Sequence, residues 1–348
     1  MSTTPDLRTE PDDIDPVWMS AVLAAAGTPR PVGSLRHEPV GVGLMARSHR
    51  FTLDHTDGST STVVVKFPSS DLGTRSLGAS AYAREVGFYL DVAATINGGL
   101  ARCLHAASND DGSDFVLVLE DLAPRRPGDQ LLGCDVAAAE TAVANMARLH
   151  GSTWHRDAIA ELTWTSQGTG SGLADIMGVV LGAFAERFAG LLDEATLPVL
   201  ACFAERIEVW LEREPSTRAL VHGDYRLDNL LFGDDDVVAV DWQTVDYRSP
   251  MRDLAYFCGN SLTVETRRDV EKDLLDHYLE VLATEGVNGF DAARAHDEML
   301  HGMFQGPMVT MLGAFTASRS ERSEAMFAAM ADRAASQILD HDALDVLS

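Results

Sequence analysis

The sequence predicts an α+β protein of two lobes, a small β-rich one over residues 1–122 and a larger, mainly helical one over 123–348. Three observations carry this. Short β-branched and apolar runs, with one helical stretch among them, fill the first third. A linker containing Pro124, Arg125, Arg126 and Pro127 follows Glu120-Asp121-Leu122. Beyond it apolar residues recur at helical spacing to the end of the chain, around one small β island. At 348 residues the length also suits two domains better than one core.

Taken in order, the first 30 or so residues are polar and acidic at their start and read as an ill-defined extension or helix. They hold no apolar stretch of the kind a secretion signal needs. Strands are expected around residues 34–40, 46–53 and 61–67, with Asp57-Gly58 as a hairpin turn between the last two. A helix over 78–94 and strands over 102–107 and 115–119 complete the lobe. In the second lobe the periodicity predicts helices over 134–150 (with Gly151 as its C-terminal cap), 173–193, 197–213, 264–284, 292–311 and 323–339. The β island is 229–232 and 237–240, joined by the polar turn 233–236. The glycine-rich stretch 168–172 reads as a loop; it lacks the Lys-Ser/Thr of a Walker-type phosphate loop.

Hydrophobic residues make up 46% and charged residues 23%, an ordinary soluble globular mix. No apolar run approaches the roughly 18 residues a membrane span requires. The net charge of −26 repels phosphate backbones and anionic bilayers, which argues against nucleic acid and membranes as partners. Cys103, Cys134, Cys202 and Cys258 are scattered and form no CxxC pair, as expected of reduced thiols in a cytoplasmic protein.

The strongest chemical signal is Leu220-Val221-His222-Gly223-Asp224-x4-Asn229, followed after the turn by Asp241. Phosphoryl transfer needs a nucleotide cradle, a divalent metal on the phosphate oxygens and a carboxylate that orients the accepting hydroxyl. Asn229 and Asp241 offer an amide oxygen and a carboxylate, the hard donors that Mg²⁺ prefers. Asp224 is left to accept the hydroxyl proton. Any one of these residues alone would read as a turn or cap residue; the ordered set around a hairpin points to catalysis. Asp228 and Asp246 read as solvated turn residues. In the first lobe Lys66 sits in the apolar run Val63-Val-Val-Lys66-Phe67, where an ammonium needs a counter-charge. ATP phosphates and Glu85, on the expected helix, are the candidates. Gly41 and Gly43 lie one strand earlier, where glycines let backbone amides approach phosphates, although GxG is usually only a turn.

With these residues assembled, the chain resembles the aminoglycoside phosphotransferase and choline kinase group of protein-kinase-like enzymes, and most of all their ecdysteroid kinase-like branch. The resemblance spans roughly residues 30 to 315. It rests on His222-Gly-Asp224-x4-Asn229, Val240-Asp241-Trp242-Gln243 and Ser249-Pro250-x-x-Asp253-Leu254-Ala-Tyr-Phe257. Supporting text is Tyr82-x-x-Glu85-x-x-Phe-Tyr89, Val118-Leu-Glu120-Asp121-Leu122 and Met146-Ala-x-Leu-His150. The resemblance implies Asp224 as catalytic base, Asn229 and Asp241 on Mg²⁺, and Lys66 on the ATP phosphates, paired with Glu85. It places the backbone of Glu120 to Leu122 against adenine and makes Asp253 and His222 structural supports of the catalytic loop. Two departures stand out: the glycine loop has only Gly41 and Gly43, and Trp242 replaces the usual phenylalanine. The 12 positions from Asp241 to Asp253 leave little room for a peptide-docking segment, so the expected acceptor is the hydroxyl of a small molecule.

In this family the acceptor lies against the C-terminal helices, which here points to 300–315, rich in Met and Phe. Such a wall suits a hydrophobic or sterol-like alcohol, with His301 and Gln305 as polar contacts; core packing is the plainer alternative. Two other functions stay open: an aminoglycoside kinase, which the acidic surface favours and which Gln243 and the Met- and Phe-rich helix weigh against, and a non-catalytic nucleotide-binding scaffold.

Overall fold

The computed structural model describes residues 5–41, 45–165 and 172–348. Gly43 and most of the 168–172 loop lie outside the described residues. The chain forms two compact units: Met1–Ala94, Leu100–Pro124 and Asp241–Thr244 make the first, and Thr95–Gly99, Arg125–Val240 and Val245–Ser348 the second.

The first unit opens with helix α1 (Pro16–Ala25), within the stretch that the sequence reads as an ill-defined extension or helix. The Asp15 carboxylate caps it by accepting from the Trp18 backbone at 2.8 Å, and Pro16 takes the first position, where its missing N–H costs nothing. Strands β1 (Val32–Pro39), β2 (Ala46–His55), β3 (Thr60–Pro68), β4 (Cys103–Ser108) and β5 (Phe115–Glu120) pair antiparallel in the order β1-β2-β3-β5-β4. Alternation puts Phe51 and Leu53, then Val63, Val65 and Phe67, on one face, where they close over Trp18, Met19 and Val22 of α1. Helix α2 (Leu72–Gly87) starts six residues before the expected point because Asp71 caps it at Thr74. It does not continue as an α-helix to residue 94; a π-turn (Phe88–Val92) and a 3₁₀ turn (Ala93–Thr95) finish it.

The second unit holds a short strand β6 (Arg126–Pro127), then α3 (Val136–Thr153), α4 (Leu173–Arg187), α5 (Thr196–Glu205) and α6 (Ile207–Glu212). Next come β7 (Ala219–Val221), β8 (Leu230–Phe232), β9 (Val237–Ala239) and β10 (Asp246–Arg248), with β7 paired to β10 and β6-β8-β9 forming a small sheet. Helices α7 (Met251–Ser261), α8 (Val264–Thr284), α9 (Ala292–Gly302), α10 (Gln305–Thr316) and α11 (Glu321–Asp340) follow.

Gly151 is not a cap. It lies inside α3, where a Cβ would come within 2.5 Å of the Glu285 Cβ, so the glycine admits close approach just past the end of α8. The expected helices over 197–213 and 292–311 are each two helices, broken at Arg206 and at Met303-Phe304. Every residue of α7 is buried, including Arg252, Asp253, Tyr256 and Asn260, which share one face of the helix and turn it into the protein rather than to solvent.

Candidate active site

In the first unit, β3 turns Lys66 to the face opposite Val65 and Phe67. Its ammonium donates to both oxygens of Glu85 on α2, at 2.6 and 2.7 Å, and to Asp241 Oδ1 at 3.2 Å. Burial works against the Lys66 charge, but Asp241 and Glu85 outweigh it and hold the lysine pKa above its ordinary value. Glu85 also accepts from the Trp242 backbone N–H at 3.3 Å. Trp242 stacks on Phe88, centroids 4.1 Å apart, so the larger ring is absorbed by α2's continuation. Asp241 has φ of 68°, a left-handed conformation that costs a non-glycine residue on the order of 1–3 kcal/mol, and its side chain stays 46% exposed. A strained carboxylate that carries a lysine and faces solvent fits a ligand-binding role.

Glu120 ends β5, with its N–H on the Arg102 carbonyl at 2.9 Å and its carboxylate on the Arg102 N–H at 2.7 Å. The next residue, Asp121, takes a two-pronged bond from Arg50 at 2.7 and 3.2 Å, which fixes the segment leading to the half-buried Leu122. Gly41 is exposed with φ of 72°, a conformation glycine adopts freely.

In the second unit, β7 leads into the loop His222-Gly223-Asp224, and Gly223 turns it with φ of 80°. Asp253 on α7 is buried and accepts from the His222 N–H at 2.6 Å and the Gly223 N–H at 2.9 Å. His150 lies 3.3 Å from the same carboxylate and bonds Tyr278 with its other nitrogen. The His222 Nδ1 accepts from the Asp224 N–H at 3.3 Å, which leaves Nε2 protonated to donate to the Val240 carbonyl at 3.0 Å. Gln305 on α10 donates to the Gly223 carbonyl at 2.7 Å, and Leu227 N–H donates to the buried Gln130 at 2.9 Å.

Asp224 is therefore presented by a loop tied down on several sides. Its Oδ1 accepts from the Tyr256 hydroxyl at 2.7 Å; its Oδ2 accepts from Asn229 Nδ2 at 3.0 Å and Arg226 Nε at 3.2 Å. Burial lowers the Arg226 pKa, yet the neighbouring Asp224 outweighs it and the guanidinium stays charged. Asn229 closes a 3₁₀ turn just before β8 and spends its Nδ2 on the Asp224 carbonyl and carboxylate, which turns its amide oxygen the other way. The amide oxygen of Asn229 and the carboxylate of Asp241 are chemically the donors Mg²⁺ takes.

Asp228 and Asp246 are not solvated turn residues. Asp228 accepts from the Gln130 N–H and Arg322, and Asp246 pairs with Arg248 at 3.0 Å with its side chain 13% exposed. Met303, Phe304 and Met311 are core residues, and His301 bonds the Trp210 carbonyl at 2.8 Å, so neither they nor His301 line an acceptor wall. Gln305 serves the loop. On α10 the half-buried Met308, Val309 and Leu312 and the exposed Phe315 are the apolar side chains that reach solvent. Arg226 and Tyr256 were not singled out from sequence, although Arg226 stands two residues after Asp224 and Tyr256 one helical turn after Asp253.

A five-stranded sheet carrying a lysine–glutamate pair, and a helical unit carrying an aspartate loop braced by a second aspartate, are the two parts of the protein-kinase-like fold. The chain belongs to the ecdysteroid kinase-like family, whose profile matches residues 44–286. Among solved structures, a candidate aminoglycoside phosphotransferase from Ralstonia eutropha is 18% identical with a TM-score of 0.52, over 88% of this chain and 93% of the other. The ethanolamine kinase of Plasmodium vivax is 13% identical with a TM-score of 0.52, over 91% and 87%. A 2″-aminoglycoside phosphotransferase in complex with gentamicin is 13% identical with a TM-score of 0.50, over 92% and 98%. At these identities the likeness establishes the fold. No curated protein sequence matches the chain. Among the described residues no helix is long and apolar enough to cross a membrane.

Proposed function

We propose that the protein is an ATP- and Mg²⁺-dependent O-phosphotransferase acting on a hydroxyl of a small molecule. The observation that carries this is Asp224, a partly accessible carboxylate fixed on both oxygens, on a loop whose Asn229 is oriented by the same carboxylate. Asp224 takes the acceptor hydroxyl's proton and aims its oxygen at the γ-phosphorus. Lys66, held by Glu85, binds the ATP phosphates; the backbone at Gly41 covers them, and the Glu120 to Leu122 backbone receives adenine. Asn229 and Asp241 would hold the Mg²⁺, which when bound neutralises charge on the phosphate oxygens.

An apolar or amphipathic alcohol is the acceptor this reading favours, because Met308, Val309 and Leu312 follow Gln305 along α10 and Gln305 touches the catalytic loop. The net charge of −26 supports the aminoglycoside alternative. ADP release measured with MgATP over a panel of alcohols, sterols and aminoglycosides separates the acceptors. Thermal shift with ATP, with and without Mg²⁺, tests the scaffold alternative: a metal-independent response without turnover would favour the scaffold.

A further inference from the structure

The Asp224 carboxylate has two oxygens, each able to accept about two hydrogen bonds. Oδ2 already takes Asn229 Nδ2 and Arg226 Nε. Among the described residues Oδ1 takes a single donor, the Tyr256 hydroxyl at 2.7 Å. The open direction on Oδ1 is therefore where an acceptor proton lands.

Tyr256 is fully buried on α7, one turn after Asp253, so a single helix holds both the backbone of His222 and Gly223 and the side chain of Asp224. Burial, and then the adjacent Asp224, push the phenol pKa well above its ordinary value, so the group stays a donor. We infer that Tyr256 is a positioning residue for phosphoryl transfer: its hydroxyl fixes the rotation of the Asp224 carboxylate so that Oδ1 receives the acceptor proton. The inference rests on the reading of Asp224 as the base. In the step, the acceptor oxygen bonds to the γ-phosphorus as the bond from that phosphorus to the β–γ bridging oxygen breaks. ADP leaves with the electron pair, the acceptor proton passes to Oδ1, and Tyr256 keeps its own.

The test uses the full chain with MgATP and water as the acceptor, read as ADP release. Tyr256→Phe removes one oxygen and keeps the ring. It is expected to lower kcat by about 10–10²-fold through lost orientation, with KM for ATP within about two-fold of wild type. On an Asp224→Asn background the same change is expected to add nothing, since both act through one carboxylate. Wild-type kcat in Tyr256→Phe, or a loss that multiplies that of Asp224→Asn, overturns the inference and leaves Asp224 as base. Wild-type hydrolysis in Asp224→Asn overturns the base reading itself, and the inference with it. Unfolding midpoints check the fold; if Tyr256→Phe does not fold, Tyr256→Met is judged by the same criteria.

Discussion

The Asp253 carboxylate lies 2.6 Å from the His222 backbone nitrogen and 2.9 Å from that of Gly223, so one buried side chain holds both N–H groups that precede Asp224. Asp253→Ala leaves two buried donors unsatisfied, a cost on the order of 2–4 kcal/mol. Denaturant unfolding should show that loss, and turnover should fall by about 10²-fold as the loop loses its anchor. Asp253→Asn keeps an acceptor oxygen and should lose less of both.

Lys66 and Glu85 form a buried ion pair, with Glu85 almost wholly inaccessible. Glu85→Ala leaves the ammonium with Asp241 alone, and should destabilise the protein by about 3 kcal/mol in chemical denaturation. The apparent KM for ATP should rise in the same variant, because the lysine is no longer held in place. Unchanged KM would detach the pair from nucleotide binding.

Burial lowers the His301 pKa to about 4, from an ordinary value near 6.5. The neutral ring donates from Nε2 to Trp210, and its Nδ1 has no partner among the described residues. The unfolded chain takes up this proton first, so the stability contribution is complete above pH 6.5 and is lost as pH falls toward 4. The loss amounts to about 3 kcal/mol. His301→Gln, which can still donate to Trp210, should flatten that part of the stability–pH curve; a wild-type slope in the variant would contradict the assignment.

Much of this was legible in the sequence because it rests on local chemistry. Alternating Val63, Val65 and Phe67 mark β3, and an isolated lysine among them demands a counter-charge that Glu85 supplies. The loop residues Asp224 and Asn229 lie close in sequence and meet directly. What was hidden depends on burial from every side. α7 has a polar face, Arg252, Asp253, Tyr256 and Asn260, but it is buried rather than solvated, and the sequence does not show that Tyr256 reaches Asp224. The Met- and Phe-rich stretch could be read as a pocket wall or as core packing, which periodicity alone does not separate; Met303, Phe304 and Met311 fill the core. Likewise Gly151 carried a capping signal that close packing against Glu285 explains instead.

The most direct test of the central claim is ADP release from MgATP with the alcohol panel, comparing wild type with Asp224→Ala and each with the metal chelated. The account predicts acceptor-stimulated turnover in wild type that chelation abolishes and that Asp224→Ala lowers by about 10²–10⁴-fold with the fold intact. Near-normal turnover in Asp224→Ala, or turnover that persists without divalent metal, would contradict it.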